Sequence, residues 1–150
     1  MKNKIISSCI ALAMGVGAGY ATSVFAQAKP DVLVKQRQAV MVLQGKYFGP
    51  LAAMAAGKAP YDSAVATRNA GYLQALSQMA WDGFHPNTKD EKSRALPAIY
   101  DNATKFKEAE DRFTGAVAKL VSAKDEGAFK GAVGEVNKSC GACHEDFRAK

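Results

Sequence analysis

The stretch GAFKGAVGEVNKSCGACHEDF, residues 127–147, decides the fold. Phe129, Val133, Val136, Cys140, Cys143 and Phe147 follow one another at alternating steps of four and three, which places all six on one face of an α-helix. A half-buried strand would need an apolar residue at every second position, and no such alternation is sustained here. A helix starting after Gly127 is therefore expected, with both cysteines on its buried side.

The same spacing recurs upstream. After Pro30-Asp31, a helix-start signal, Val34, Met41 and Phe48 stand seven residues apart, with Val40 and Leu51 alongside, so a helix is expected to about Ala56. Gly57 ends it, and Ala59-Pro60-Tyr61-Asp62 makes a turn in which Asp62 caps the next helix. In that second helix Val65, Tyr72, Leu76 and Met79 form the stripe, and Asn69 interrupts it. From Asp82 to Leu96 the pattern dissolves into Gly, Pro, Asn, Thr and charged residues, and a connection of this length is expected to be functional or mobile. A third helix begins near Pro97 and carries Ile99, Phe106, Phe113 and Leu120 in sevens. Four amphipathic helices with two short links and one long one describe an all-α domain, an antiparallel up-down four-helix bundle.

Chemistry concentrates in Cys140-Gly141-Ala142-Cys143-His144, the attachment sequence for c-type haem. Each thiol adds to one vinyl group. Residues three and four apart share a helical face, so the two cysteines and His144 project to one side of the macrocycle, and the imidazole reaches the iron. One haem c, covalent through two thioethers, is therefore the expected cofactor, with His144 the metal ligand. A redox disulfide belongs with an α/β pattern that is absent, and no second Cys/His pair completes a zinc site. A haem-free helical interaction module would require Cys140 and Cys143 to be unmodified.

Export fits this chemistry. Lys2 and Lys4 precede an apolar run from Ile5 to about Phe25, and Val24-Phe25-Ala26 offers a signal-peptidase site, so residues 1–26 read as a cleaved signal peptide and 27–150 as the domain. The expected location is the periplasm, with no membrane anchor after cleavage. Cys9 has too little sequence before it for a lipidation site. Losing the two lysines takes the formal charge from +6 to +4. The basic residues are interspersed with acids and lack interleaved aromatics, which argues against nucleic acid. Carboxylates are scattered and assemble no acid/base or nucleophile pattern, so the chain is expected not to be an enzyme, slow turnover of NO at the iron aside.

The chain resembles the cytochrome c′ family, the helical-bundle class of c-type cytochromes with the haem motif near the C-terminus, a class that the bundle topology itself admits. The markers are Arg37-Gln38, the turn Ala56-Gly57-Lys58-Ala59-Pro60-Tyr61-Asp62, Trp81 and Phe84 with Pro86 and Thr88, and Cys140 to Arg148. The resemblance implies a homodimer paired through the first two helices, and Arg37 and Gln38 against haem propionates. Arg37 also lies four residues before Met41, on the same helical face; the alternative is a solvated basic residue. Arg148 follows His144 by four, which places it beside the imidazole to tune or guard that side; a basic residue complementing the helix dipole explains it equally.

By the same resemblance Met41 holds the distal position. Held off the iron, its thioether leaves a five-coordinate, high-spin haem that takes small neutral gases, NO or CO, and exchanges one electron with a partner the sequence does not identify. Bonded to the iron, it makes a low-spin His/Met electron carrier of the cytochrome c-556 type. A pocket lined by Met41, Val40 and aromatic rings lacks the hydrogen-bond donor that bound dioxygen needs, so oxygen is expected to bind poorly. Trp81, Phe84, Phe106, Phe113 and Phe129 are expected in the core, some as haem walls, and His85 on a surface loop.

Overall fold

The structure is a computed structural model and describes residues 28–150; the expected signal peptide, residues 1–26, lies outside the described residues. The chain forms α1 (Pro30–Ala55), α2 (Ser63–Met79), a single turn α3 (Ala98–Asp101), α4 (Ala103–Ser122) and α5 (Glu126–Phe147). Helix α1 packs on α2 and α5, and α4 packs on α2 and α5, which closes the four long helices into a bundle. Among the described residues there is no strand, only one isolated antiparallel bridge between Ala95 and Arg148.

Local chemistry sets the ends of the helices. Pro30 occupies the first turn of α1, where a missing N–H costs nothing, and Asp31 there pairs with Lys35 at 3.0 Å. At the other end Gly57 adopts φ 68°, Lys58 N–H donates to Ala53 O at 2.9 Å and Gly57 N–H to Met54 O at 3.1 Å. These are the two bonds of a Schellman cap, which glycine forms without a Cβ penalty. Asp62 caps α2 as expected, accepting from Val65 N–H at 2.9 Å. Helix α5 starts one residue before Gly127, because Asp125 accepts from Ala128 N–H at 2.8 Å and so fixes the first turn.

Two expectations are corrected. In α2 the buried face is Ala66, Asn69, Ala70, Leu73, Leu76 and Ser77, while Tyr72 and Met79 are 47% and 56% exposed. Small side chains at Ala66 and Ala70 let α2 come close to its neighbours, and this outweighs the larger apolar surface of Tyr72 and Met79. Asn69 is buried rather than an interruption, its Oδ1 accepting from Arg68 Nε at 3.2 Å. The third helix is also broken, for Asn102 leaves the helical region at φ −126°, ψ 56°. That break directs Ile99 into a small apolar cluster with Ala109 and Phe147, apart from the main core around Leu51, Leu73, Val117 and Val136.

The long connection contains two 3-10 turns, Trp81–Phe84 and Pro86–Thr88, and is anchored to α1. Gly83 is needed there. A Cβ on it would lie 2.6 Å from Arg37 Cβ and 2.9 Å from Leu33 O, so only glycine lets this turn lie against α1. His85 is exposed, as expected, with its Nδ1 accepting from Asn87 N–H at 3.3 Å.

Candidate functional site

A cavity of about 790 Å³ lies among α1, α5, α4 and the connection, within the range of cofactor pockets. Helix α5 contributes Cys140, Cys143, His144 and Phe147; α1 contributes Arg37, Gln38, Met41 and Phe48. Phe106, Ala109 and Phe113 come from α4, Trp81, Phe84 and Arg94 from the connection. The cavity borders both apolar clusters, with Cys140 packed on the larger and Cys143 on the smaller. Arg37, Gln38, Met41, Cys140, Cys143, His144 and Arg148, all expected at the haem, therefore border one space.

The rings make a continuous wall. Trp81 meets Phe106 at 5.9 Å and Phe113 at 6.3 Å edge to face, Phe84 meets Phe106 at 5.0 Å, and Phe106 meets Phe147 at 5.3 Å. Trp81 is fixed by its Nε1–H, which donates to Ser77 O at 2.6 Å. Phe129 lies elsewhere in the core against Tyr61, at 5.2 Å, and Val40 is not among the cavity's walls. On α1 the wall beside Met41 is filled out by Val42, Gly45 and Phe48 instead.

Cys140 and Cys143 are both free thiols. Burial, and then the neighbouring Cys143, push the Cys140 thiol up to about 11; burial and then Asp146 raise Cys143. A dithiol redox pair works through a lowered thiol pKa, so these directions oppose that reading. His144 is held below its ordinary value by burial, by Arg148 and by Arg94. The Arg148 guanidinium, a donor only, lies 3.3 Å from His144 Nδ1. Arg148 itself follows the last turn of α5 in extended backbone at φ −127°, so it sits beyond the helix end and beside the imidazole.

Arg94 escaped sequence reasoning, because it lies in the aperiodic connection and nothing local marks it. Its Nε and Nη2 donate to Ala149 O at 3.1 and 2.8 Å, Ala149 N–H donates to Arg94 O at 2.8 Å and Leu96 N–H to Phe147 O at 2.9 Å. The C-terminal residues are thus tied across the connection beside His144. Arg37 is 3% exposed, which removes the solvated reading. Gln38 is exposed, although it borders the cavity.

The residues present fit a c-type haem. Two thiols and an imidazole from one helical face enter an apolar cavity, and the buried Arg37 cation has no carboxylate partner within 4.0 Å among the described residues. A buried charge without a counter-ion is costly, and an anionic group in the cavity would offset it.

Comparison with known proteins agrees. The family described as Cytochrome C' matches residues 32–148. The cytochrome c′ of Rubrivivax gelatinosus is 40% identical over 126 residues, which cover 81% of this chain and 98% of that protein. Its crystal structure superposes with a TM-score of 0.78 at 39% identity, covering 80% of this chain and 97% of that one. A ferrous variant of the cytochrome c prime from Alcaligenes xylosoxidans with bound NO has a TM-score of 0.77 at 36% identity, over 82% of this chain and 98% of its own. With the haem-binding sequence, the bundle and the cavity in agreement, the chain belongs to the cytochrome c′ family, whose members carry covalently bound haem c.

Proposed function

We propose that this chain is a periplasmic monohaem cytochrome c′ in which His144 ligates the iron, Cys140 and Cys143 hold the haem, and Met41 stands off the iron. Residues 1–26 are then the export leader, and among the described residues no helix is long and apolar enough to cross a membrane. The bound haem supplies an iron that takes a small neutral gas, NO or CO, and cycles by one electron.

The observation that carries this reading is the α1 wall around Met41, where the neighbours are Val42, Gly45 and Phe48 and the buried amide Gln44 has its Nε2 donating to Leu76 O at 3.0 Å. A face of that make-up offers little to the negative charge of bound dioxygen, while NO and CO remain nearly neutral. On this reading Arg37 and Gln38, which border the cavity, meet the propionates, and Arg148 and Arg94 put positive charge beside the imidazole. Absorption and spin-state spectroscopy of the purified holoprotein tests the reading. A high-spin ferrous haem that takes up NO and CO and forms no stable oxygen complex is expected; a low-spin ferrous haem that ignores CO overturns it.

The same protein is proposed to be a homodimer through α1 and α2. Val32 and Leu43 on α1 and Tyr72 and Met79 on α2 are exposed apolar side chains, and Tyr72 reaches Tyr47 across the two helices at 4.8 Å. Exposed apolar side chains on two neighbouring helices are what such an interface would bury. Leu43→Glu with Met79→Glu is expected to convert the dimer to monomer in sedimentation velocity without loss of haem. A wild-type chain that sediments as a monomer at every concentration would rule the dimer out.

A further inference from the structure

Arg37 is held in an unusual way. Its Nη1 donates to Gly83 O at 2.7 Å and Thr88 Oγ1 at 3.0 Å and lies 3.3 Å from Tyr100 Oη, while its Nη2 donates to Ser93 Oγ at 2.9 Å. Its Cζ stands 4.5 Å from the centre of the Phe84 ring. All four acceptors are neutral. They fix the guanidinium in place at the edge of the cavity and leave its charge for an anionic partner there.

The hydroxyls have a determined direction. Thr88 is 1% exposed and spends its only hydroxyl proton on His85 O at 2.7 Å. In the 2.8 Å contact between Thr88 Oγ1 and Tyr100 Oη the tyrosine must therefore donate, which frees its oxygen to accept from Arg37. The chain runs from guanidinium to Tyr100 to Thr88 to the His85 carbonyl, every donor aimed away from the cation. Such an ordered set of dipoles presents its negative ends to Arg37 and makes no ion pair with it.

We propose that Thr88 and Tyr100, with Ser93, are positioning residues that hold Arg37, which no protein carboxylate neutralises, at the cavity edge where it meets a haem propionate, and that they thereby favour the reduced state of the iron. The inference rests on the haem reading above. Its physical basis is that ferrous haem carries one positive charge fewer than ferric, so a propionate left unscreened favours the ferric form and a fixed cation beside it favours the ferrous form. A carboxylate in place of these hydroxyls would position Arg37 equally well but take its charge from the propionate.

The test is a redox titration of the mature holoprotein with mediator dyes, reading the ferrous-to-ferric ratio at one fixed ambient potential. Thr88→Val with Tyr100→Phe is expected to lower that ratio about three- to tenfold, and Tyr100→Phe alone about twofold, since a loosened guanidinium turns toward water. Thr88→Ser, which keeps the hydroxyl, is expected to match wild type. Because these residues act through Arg37, the double substitution made in an Arg37→Gln background should move the ratio no further. Coloured variants whose ratio stays at the wild-type value overturn the proposal, as does an undiminished shift in the Arg37→Gln background. Wild-type protein that matures without colour defeats the haem assignment instead, so the two failures are distinct.

Discussion

Chain carrying Cys140→Ser with Cys143→Ser, purified free of haem, is expected to show no sharp thermal unfolding transition, while wild-type holoprotein unfolds cooperatively. The argument is one of volume. A space of about 790 Å³ walled by apolar side chains must either fill with water or collapse when the cofactor is missing, and both give up packing that the bundle needs. A domain of this size has only about 5–15 kcal/mol of stability to lose. The walls that would collapse are the rings of Trp81, Phe84, Phe106 and Phe113, which meet one another along one edge of the space. Far-UV circular dichroism should therefore retain helix while near-UV signals from Trp81 are lost, the mark of a loosened core. A haem-free variant that melts sharply within a few degrees of the holoprotein would show that the bundle closes without the cofactor, and the cavity would then need another explanation.

What the sequence revealed and what it withheld divide along physical lines. Helix α5 was legible because Val133, Val136, Cys140 and Phe147 are large or reactive groups at strict spacing, and burial of such groups follows the period directly. The ends of α1 and α2 were legible because Gly57 and Asp62 act through backbone geometry within a few residues. The face of α2 was misread for the opposite reason. Hydrophobicity favours Tyr72 and Met79 for the core, but Ala66 and Ala70 let the helices approach, and the two large side chains remain outside. Close approach depends on the neighbouring helix, and no local pattern encodes it. The same holds for Arg37. Its motif position and its register with Met41 pointed to the cavity, whereas Gly83, Thr88, Ser93 and Tyr100 converge on it from 46 to 63 residues away. The aperiodic stretch expected to be functional or mobile is in fact tied down, by Arg37 at one end and by the Arg94 to Ala149 clasp at the other.

Met41→Ala is expected to raise the affinity for CO about ten- to a hundredfold while slightly lowering the melting temperature, two effects of opposite sign from one substitution. Met41 is half-buried on the cavity wall among Gln38, Val42, Gly45 and Phe48. If its thioether stands off the iron, an incoming gas must push it aside, and displacing a packed side chain costs about 1–3 kcal/mol. Removing that cost appears directly as affinity, at about 1.4 kcal/mol for each tenfold. The truncated side chain also gives up some buried surface, so stability falls, at the low end of the range for methionine-to-alanine changes because Met41 is only half-buried. A methionine bonded to iron predicts a different signature. The wild-type ferric spectrum would then carry a long-wavelength sulfur-to-iron band, Met41→Ala would abolish it, the ferric haem would turn from low to high spin and the reduction potential would fall. The observation that separates the two is made on wild type before any substitution: a ferric protein without the sulfur band, whose CO affinity then climbs in Met41→Ala, places the thioether as a gate that gas must move, and a band that vanishes places it as the sixth ligand.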